Sequence, residues 1–460
     1  MTSVVVVGGG TTGALVCGML CSSSTTKNWN IINVRSEDIP IIEVGESTVP
    51  IFARALRFMG IEQEFFEKTS AWPKYGAIFR GWQKKDLIGG WPMHGDRQET
   101  MSYLKGLTEQ KKIPRVGQYI LEGKYPYTEG GFYSDITLHI DANETAEFIF
   151  NKFDPQIDTT IYGNVNKVVI TEGKLKYIVV DDEVVQGDYF IDATGFKRVL
   201  INHFNPKFIE SKLPCNAAVF TSIEEYDDYK TDMMTTSTAA ESGWMWNIPL
   251  EGKRGRGYVY SSDFLSDEGA AEEFGEDQPT FLKYKPGWLE TPAVGNCFAI
   301  GLSNGFLDAL DSPSIGMTVG QIFRFLKNYE TPEKYKFPFK RVENYLMLHY
   351  RCCTKSSPFW DSIPSLSKEE VIQKYREVIE TPHWKDPQWQ GLYGVDLHGF
   401  TLSNSARILS NAVDIDGVLA KEIYNTVSKE ERDSIKNDYD IVPWSIDLFK
   451  KHLSQGRKDY

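Results

Sequence analysis

The sequence predicts an α/β fold: a parallel-stranded module at the N-terminus, an antiparallel sheet beside it and a helical C-terminal module. Three observations predict it. Residues 3–7 are a β-branched run that leads straight into glycines, as a strand buried on both faces of a parallel sheet does. Residues 167–191 alternate like the strands of a small antiparallel sheet. Beyond about residue 340 the chain turns polar and amphipathic, and Ser367-Lys368-Glu369-Glu370 and Ser428-Lys429-Glu430-Glu431 each fit a helix-opening capping box.

The elements follow in order. Gly8-Gly9-Gly10-Thr11-Thr12-Gly13 succeeds the first strand, Ala14 to Met19 suits a helix, and Ile31 to Val34 suits a second strand. Together they make a βαβ unit of Rossmann-like type. Residues 51–66 carry Ile51, Leu56, Met59 and Phe65-Phe66 on a loose helical spacing. Residues 70–135 are rich in Trp, Tyr, Gly and Pro without a sustained period, which predicts loops and short strands that build a pocket. Ala142 to Asn151 predicts a helix. Tyr189 to Gly195 and Gly295 to Leu302 each read as a strand near a glycine turn. No repeat or long linker intervenes. The expected organisation is one compact body, with residues 1–340 as the main module and 341–460 as a helical module covering the substrate.

Composition excludes several functions. The chain has 460 residues, 41% hydrophobic and 25% charged, so wholesale disorder is excluded. Its net charge of −13 gives no general attraction for phosphate backbones, and no nucleic-acid partner is expected. No apolar run approaches the ~20 residues that span a bilayer, and Val4 to Val7 lacks the basic flank of a signal peptide. Six scattered cysteines without CxxC predict reduced thiols in a cytoplasmic protein. Seven histidines without HxH or HExxH predict no metal.

Gly8-x-Gly10-x-x-Gly13 carries the first chemistry. Its glycines permit a tight turn and close approach of backbone to a pyrophosphate, which the helix N-terminus then faces. Gly8, Gly10, Thr11, Thr12 and Gly13 are therefore candidate cofactor residues. The returning segments, with Asp192, Gly195, Gly301 and Leu302, favour FAD over NAD. One rule is broken: the acidic residue that usually ends the second strand is replaced by Arg35. Glu37 or Asp38 stands in for it; otherwise the FAD is held loosely, or Arg35 addresses a phosphate or stacks on the adenine. Further on, Ser242 to Pro249 contains WxWxIP. On a strand Trp244 and Trp246 share a face. Alone, that pair reads as a buried aromatic ladder.

Taken together, these segments resemble the flavin-dependent halogenases of the tryptophan-halogenase type, and within that family a viral member. The likeness runs through residues 1 to about 360 and includes Val44 to Pro50, Pro73-Lys74-Tyr75-Gly76, His139-Ile140-Asp141-Ala142 and WxWxIP. Ile300 to Ser312, His349-Tyr350 and Ser357 to Trp360 continue it. The resemblance implies that a separate flavin reductase supplies reduced FAD, that oxygen and the flavin oxidise a halide to hypohalous acid, and that a lysine relays the halogen to an electron-rich aromatic substrate. Lys74 matches that lysine. Trp244, Trp246, Ile248 and Pro249 would keep the substrate off the flavin and so block hydroxylation. Gly45, Ser47, Thr48 and Ile315 would neighbour the flavin, with a helix cap as the alternative for Ser47 or Thr48.

Asp311 falls where the family has a glutamate, one methylene longer. Ser312, Pro313 and Ser314 would supply backbone near the halide, and Pro313, where the family more often has threonine, removes an N–H donor. A site short of a donor would favour larger, less hydrated halides. Trp82, Trp91, His94, Phe359 and Trp360 are candidate substrate walls, although lone aromatics are more often core. Tryptophan halogenases are generally longer than this chain, which implies a more open pocket and an arene other than tryptophan. The family also implies a homo-oligomer. Two other functions fit the same residues: an FAD-dependent aromatic hydroxylase using NAD(P)H directly, and a flavin-binding protein without turnover.

Overall fold

The structure, a computed structural model, describes residues 1–36, 45–84, 86–90, 120–128, 131–132, 137–221, 224–228, 232–367, 369–370, 373, 429, 440–443 and 445–454. The valine-rich first strand, Ser3–Val7, lies in the middle of a six-stranded sheet. Asn30–Arg35 and then Thr159–Tyr162 flank it on one side, and Tyr189–Asp192 and then Cys297–Ala299 on the other, all parallel. Ala293–Val294 closes one edge in the antiparallel sense. Val4, Val5 and Val6 are fully buried, as the unbroken apolar run requires of a strand covered on both faces. The glycine loop then opens the helix Thr11–Ser22, as expected.

The antiparallel alternation is real but ends earlier than the pattern suggests. Val165–Thr171, Lys174–Val180 and Glu183–Gln186 form a three-stranded antiparallel sheet. Tyr189–Asp192 instead joins the parallel sheet, because Phe190 and Ile191 are both fully buried and need cover on both faces. The single helix expected over 51–66 is two, Pro50–Phe58 and Glu62–Lys68. Gly60, at φ +70°, takes the left-handed conformation that stops a helix. Helix Ala142–Phe153 forms as predicted, its N-terminal N–H groups of Asn143 and Glu144 bound by Asp141 Oδ1.

A second, largely antiparallel sheet runs Thr280–Lys283, Ala217–Phe220, Lys253–Tyr260, Gly243–Leu250, Met234–Ala240, Gly76–Arg80, Leu87–Gly90. Against the strands Gly243–Leu250 and Lys253–Tyr260 packs a small sheet, in which Thr137–Asp141 pairs with both Gly45–Ser47 and Trp72–Lys74. Across the expected boundary at 340, helix Phe339–Arg351 buries Val342, Tyr345 and Leu346 in the same core as Trp244, Leu307 and Leu310.

The capping box at 367 forms reciprocally: Glu370 N donates to Ser367 Oγ at 3.1 Å and Ser367 N to Glu370 Oε2 at 2.9 Å. The second box lies outside the described residues, as does most of the tail beyond it. Within the described tail, Asp440–Pro443 is a strand paired with Lys124–Thr128, an element too short for periodicity to reveal. All six cysteines are free. Among the described residues no helix is long and apolar enough to cross a membrane.

Candidate active site

Three pieces of backbone converge at the glycine loop. A Cβ on Gly8 would lie 2.4 Å from the carbonyl oxygen of Ala193, and one on Gly13 would lie 2.1 Å from that of Gly8. Gly301, at φ +69°, would place a Cβ 2.5 Å from Thr12 Oγ1. Each close approach demands a glycine. At Gly10, by contrast, a Cβ would meet nothing within 4 Å, and no side chain caps the helix it opens. An uncapped helix N-terminus facing open space beside a glycine turn fits a dinucleotide pyrophosphate, so these residues suit FAD. Gly195 is also open, and left-handed at φ +65°. Leu302 follows Gly301 in the short turn Gly301–Ser303, beside the start of the first helix.

Other candidates spend their polar atoms on the protein itself. The Asp192 carboxylate accepts from Thr194 N, Thr194 Oγ1, Ser303 Oγ, Leu200 N and Ile201 N, so it organises the turn around the cradle. Arg35 is paired through its guanidinium with Asp154 and Asn33, and its Cζ sits 3.5 Å from the Phe150 ring centroid. Only its stem reaches the loop, 3.4 Å from where a Gly9 Cβ would stand. The guanidinium is therefore engaged by Asn33, Asp154 and Phe150. Thr11 Oγ1 donates to the Ala142 carbonyl at 3.2 Å. Glu37 and Asp38 lie outside the described residues.

Lys74 ends its strand fully buried. Its Nζ donates to the Thr48 carbonyl at 2.8 Å and to Ser312 Oγ at 2.9 Å. Burial lowers its pKa to about 7, and the nearby charge of Asp311 acts in the opposite direction. The segment 45–50 is thus tied to the lysine directly. Ser47 and Thr48 are not helix caps. Val49 is the N-cap of Pro50–Phe58, while Ser47 Oγ bonds Thr235 Oγ1 and Thr48 Oγ1 bonds Thr137 Oγ1, both at 2.5 Å. Glu46 on the same strand has its carboxyl pushed up to about 7 by burial.

The second partner of Lys74 begins the helix Pro313–Asn328. Asp311 and Ser312 precede it, at φ +57° and +65°. Two successive non-glycine residues in the left-handed region store strain of the kind that collects at functional sites. Pro313 holds the first helical position, where its missing N–H is tolerated. Ser314 and Ile315 follow in the first turn, and Gly316 faces Val49, where a Cβ would meet Cγ2 at 2.4 Å. The helix start, the 45–50 segment and Lys74 therefore form one packed unit.

Trp244 and Trp246 share one face of Gly243–Leu250, their rings 6.2 Å apart at 55°. Trp246 lies across Gly257 on the neighbouring strand, where a Cβ would fall 2.1 Å from the indole. Ile248 packs toward Gly45, its Cγ2 3.5 Å from where a Gly45 Cβ would stand, and Pro249 is buried. The expected substrate walls behave differently. Trp82, Phe359 and Trp360 are core: Trp82 Nε1 donates to the Ser237 carbonyl, Trp360 Nε1 to that of Ala240, and Phe359 is fully buried. With both indole N–H groups satisfied by the strand Met234–Ala240, they pack in the same core as Trp244. Trp91 and His94 lie outside the described residues.

Four further residues, His139, Asp308, Tyr345 and Thr235, have no role legible in the sequence. His139 is fully buried, with Nε2 2.9 Å from Thr235 Oγ1. Burial first, and the Lys74 charge second, hold it well below the usual histidine range. Asp308 is fully buried and pushed up to about 6 by that burial, against the hydrogen bond from Tyr350. A histidine buried in a strand was the one available signal.

Comparisons with known proteins agree with this arrangement. The model of the family described as tryptophan halogenase matches residues 3–94 and 128–396. A tryptophan 7-halogenase of Lentzea aerocolonigenes is 25% identical over 465 residues, covering 84% of each chain. Among solved structures, a flavin-dependent halogenase from Xanthomonas campestris superposes with a TM-score of 0.75 at 22% identity, covering 92% of this chain and 94% of that one. A tryptophan 6-halogenase from Streptomyces toxytricini gives 0.77 at 22% identity, covering 94% and 96%. These two structures share the fold. With a family model matching most of its length, the chain belongs to the tryptophan halogenase family of flavin-dependent enzymes.

Proposed function

We propose that the protein is a two-component halogenase: it takes reduced FAD from a separate reductase, oxygen and a halide, and halogenates an electron-rich arene through Lys74. When bound, reduced FAD with oxygen would supply the two-electron oxidation of halide to hypohalous acid. Gly8, Gly10, Gly13 and the Gly301 turn would hold it.

The observation that carries the proposal is Lys74: fully buried, anchored to Thr48 and Ser312, with a pKa near 7. A lysine poised there is half neutral in neutral solution. The neutral amine can take the halogen from hypohalous acid, forming an N–halogen bond with release of water. The ammonium can instead hydrogen-bond the acid and fix its orientation. In both cases the electrophile is held at one point, and confinement of that kind is worth several kcal/mol. The ring attacks the halogen and its bond to nitrogen (or, for the hydrogen-bonded acid, to oxygen) breaks, while the proton displaced from the ring passes by way of the Asp311 carboxylate to the departing nitrogen or hydroxide, which restores the Lys74 amine or releases water. Trp244 and Trp246 would exclude the arene from the oxidising side, and a substrate such as tryptophan, named for several relatives, suits an aromatic site.

A pooled panel of indoles, phenols and anilines, incubated with FAD, NADH and bromide, tests this reading. Bromine isotope doublets that appear only when a reductase is added support it. NADH consumption without reductase, with products that gain oxygen alone, would replace it with a hydroxylase.

A further inference from the structure

The helix Phe339–Arg351 meets the segment that leads into the strained turn at two points. Tyr345 donates its hydroxyl to Asp311 Oδ2, and Tyr350 donates to Asp308 Oδ2 at 2.6 Å. Asp308 Oδ1 also accepts from Leu310 N at 3.0 Å, and Ser312 N closes onto the Ala309 carbonyl at 3.1 Å. Two buried phenols on one helix thus pin two buried aspartates. Beyond them, Ser312 Oγ accepts from Lys74 Nζ. One peptide bond separates the carboxylate held by Tyr345 from the hydroxyl held by the lysine.

We propose that Tyr345 is a positioning residue for the halogen-transfer site: its phenol fixes the Asp311 carboxylate, whose neighbour in the chain, Ser312, anchors Lys74. The physical argument runs through competition for one anion. A carboxylate near an amine favours the charged amine, and Asp311 acts on Lys74 in that direction against the effect of burial. A phenol donating to the carboxylate takes up one of its oxygens and part of its charge. Lose that hydroxyl, and the carboxylate is left to satisfy itself on the nearest donor. Asp311, from the turn, and His139, from strand Thr137–Asp141, both act on Lys74. Burial holds His139 well below the usual histidine range, so of these two the Asp311 carboxylate supplies the charge. Lysine presentation of a halogen needs the amine, so the proposal rests on the halogenase reading above, and it adds a residue to it.

The test is a titration of Lys74 by NMR in full-length protein labelled at lysine Cε, the signal assigned by its loss in Lys74→Met. No flavin, halide or arene is present, so a protein that makes no halogenated product would discredit the halogenase reading and still report on this one. Tyr345→Phe is expected to raise the Lys74 pKa by about one unit, a tenfold loss of free amine at a given pH below it. Asp311→Asn is expected to lower it. Adding Tyr345→Phe to Asp311→Asn is expected to leave the value where the single change put it. An unchanged pKa in Tyr345→Phe overturns the proposal. So does an equal shift with and without the Asp311 carboxylate, which would make Tyr345 a packing residue.

Discussion

Lys74 is the residue on which burial and reactivity meet. Its pKa is lowered from the usual lysine value to about 7, so between those two values the unfolded chain binds the extra proton and the folded one does not. Stability contributed by this group therefore rises as pH rises from about 7 toward 10.5 and is lowest in acid. Lys74→Met removes that cost and is expected to stabilise the fold at neutral pH by about 1–2 kcal/mol while abolishing halogen transfer. Thermal melts beside product assays check both halves. If the neutral amine is the working form, arene halogenation falls about tenfold per unit of pH below 7, and a pH–rate profile reads it directly. Pro313 sets a different property. It holds the first position of its helix without an N–H to offer. In a mixture of equal chloride, bromide and iodide the heavier halides should dominate the products. Pro313→Thr should shift them toward chloride, and a wild-type preference for chloride would contradict the account.

At the scale of elements, the strand Gly243–Leu250 matters because two indoles share its face over a glycine. Gly257→Ala would drive a methyl into the Trp246 ring, whose carbons stand 2.1 Å from the new Cβ. The expected cost is about 1–3 kcal/mol, with oxygenated products appearing as the indole is displaced. Mass spectrometry of the product mixture separates that outcome from simple instability. These elements were legible to different degrees. The first strand, glycine loop and helix were readable because φ-demanding glycines and a valine run leave little choice. WxWxIP was readable because strand alternation fixes the shared face. The break at Gly60 was hidden inside a helical pattern that continues on both sides of it. The partners of Arg35, Asp154 and Phe150, were hidden because they stand more than a hundred positions away. Tyr345 and Asp311 also meet only through the fold, 34 positions apart. Local sequence shows which residues can do chemistry, while long-range packing decides which ones are free to do it. Trp82, Phe359 and Trp360, satisfied within one core, were not.

Across the whole molecule, the small sheet that carries Lys74 and the 45–50 segment packs on the antiparallel sheet with its indoles, and the helix Ala142–Phe153 that leaves it packs on the helix opened by the cradle. FAD binding should therefore stabilise the body as a unit, by about 2.7 kcal/mol at a hundredfold excess over Kd. Gly13→Ala, whose Cβ would stand 2.1 Å from the Gly8 carbonyl oxygen, should erase that shift in a melting experiment. On the proposed reading, this arrangement separates making the oxidant from using it, with Lys74 as the point where the two meet. The most direct measurement compares wild type with Lys74→Ala, each given FAD, a reductase, bromide and one electron-rich arene. Brominated arene is counted by its isotope doublet, and free hypobromous acid by a small-molecule trap. The account predicts that the variant still releases the oxidant and loses the brominated arene. Bromination by Lys74→Ala at the wild-type rate would contradict it.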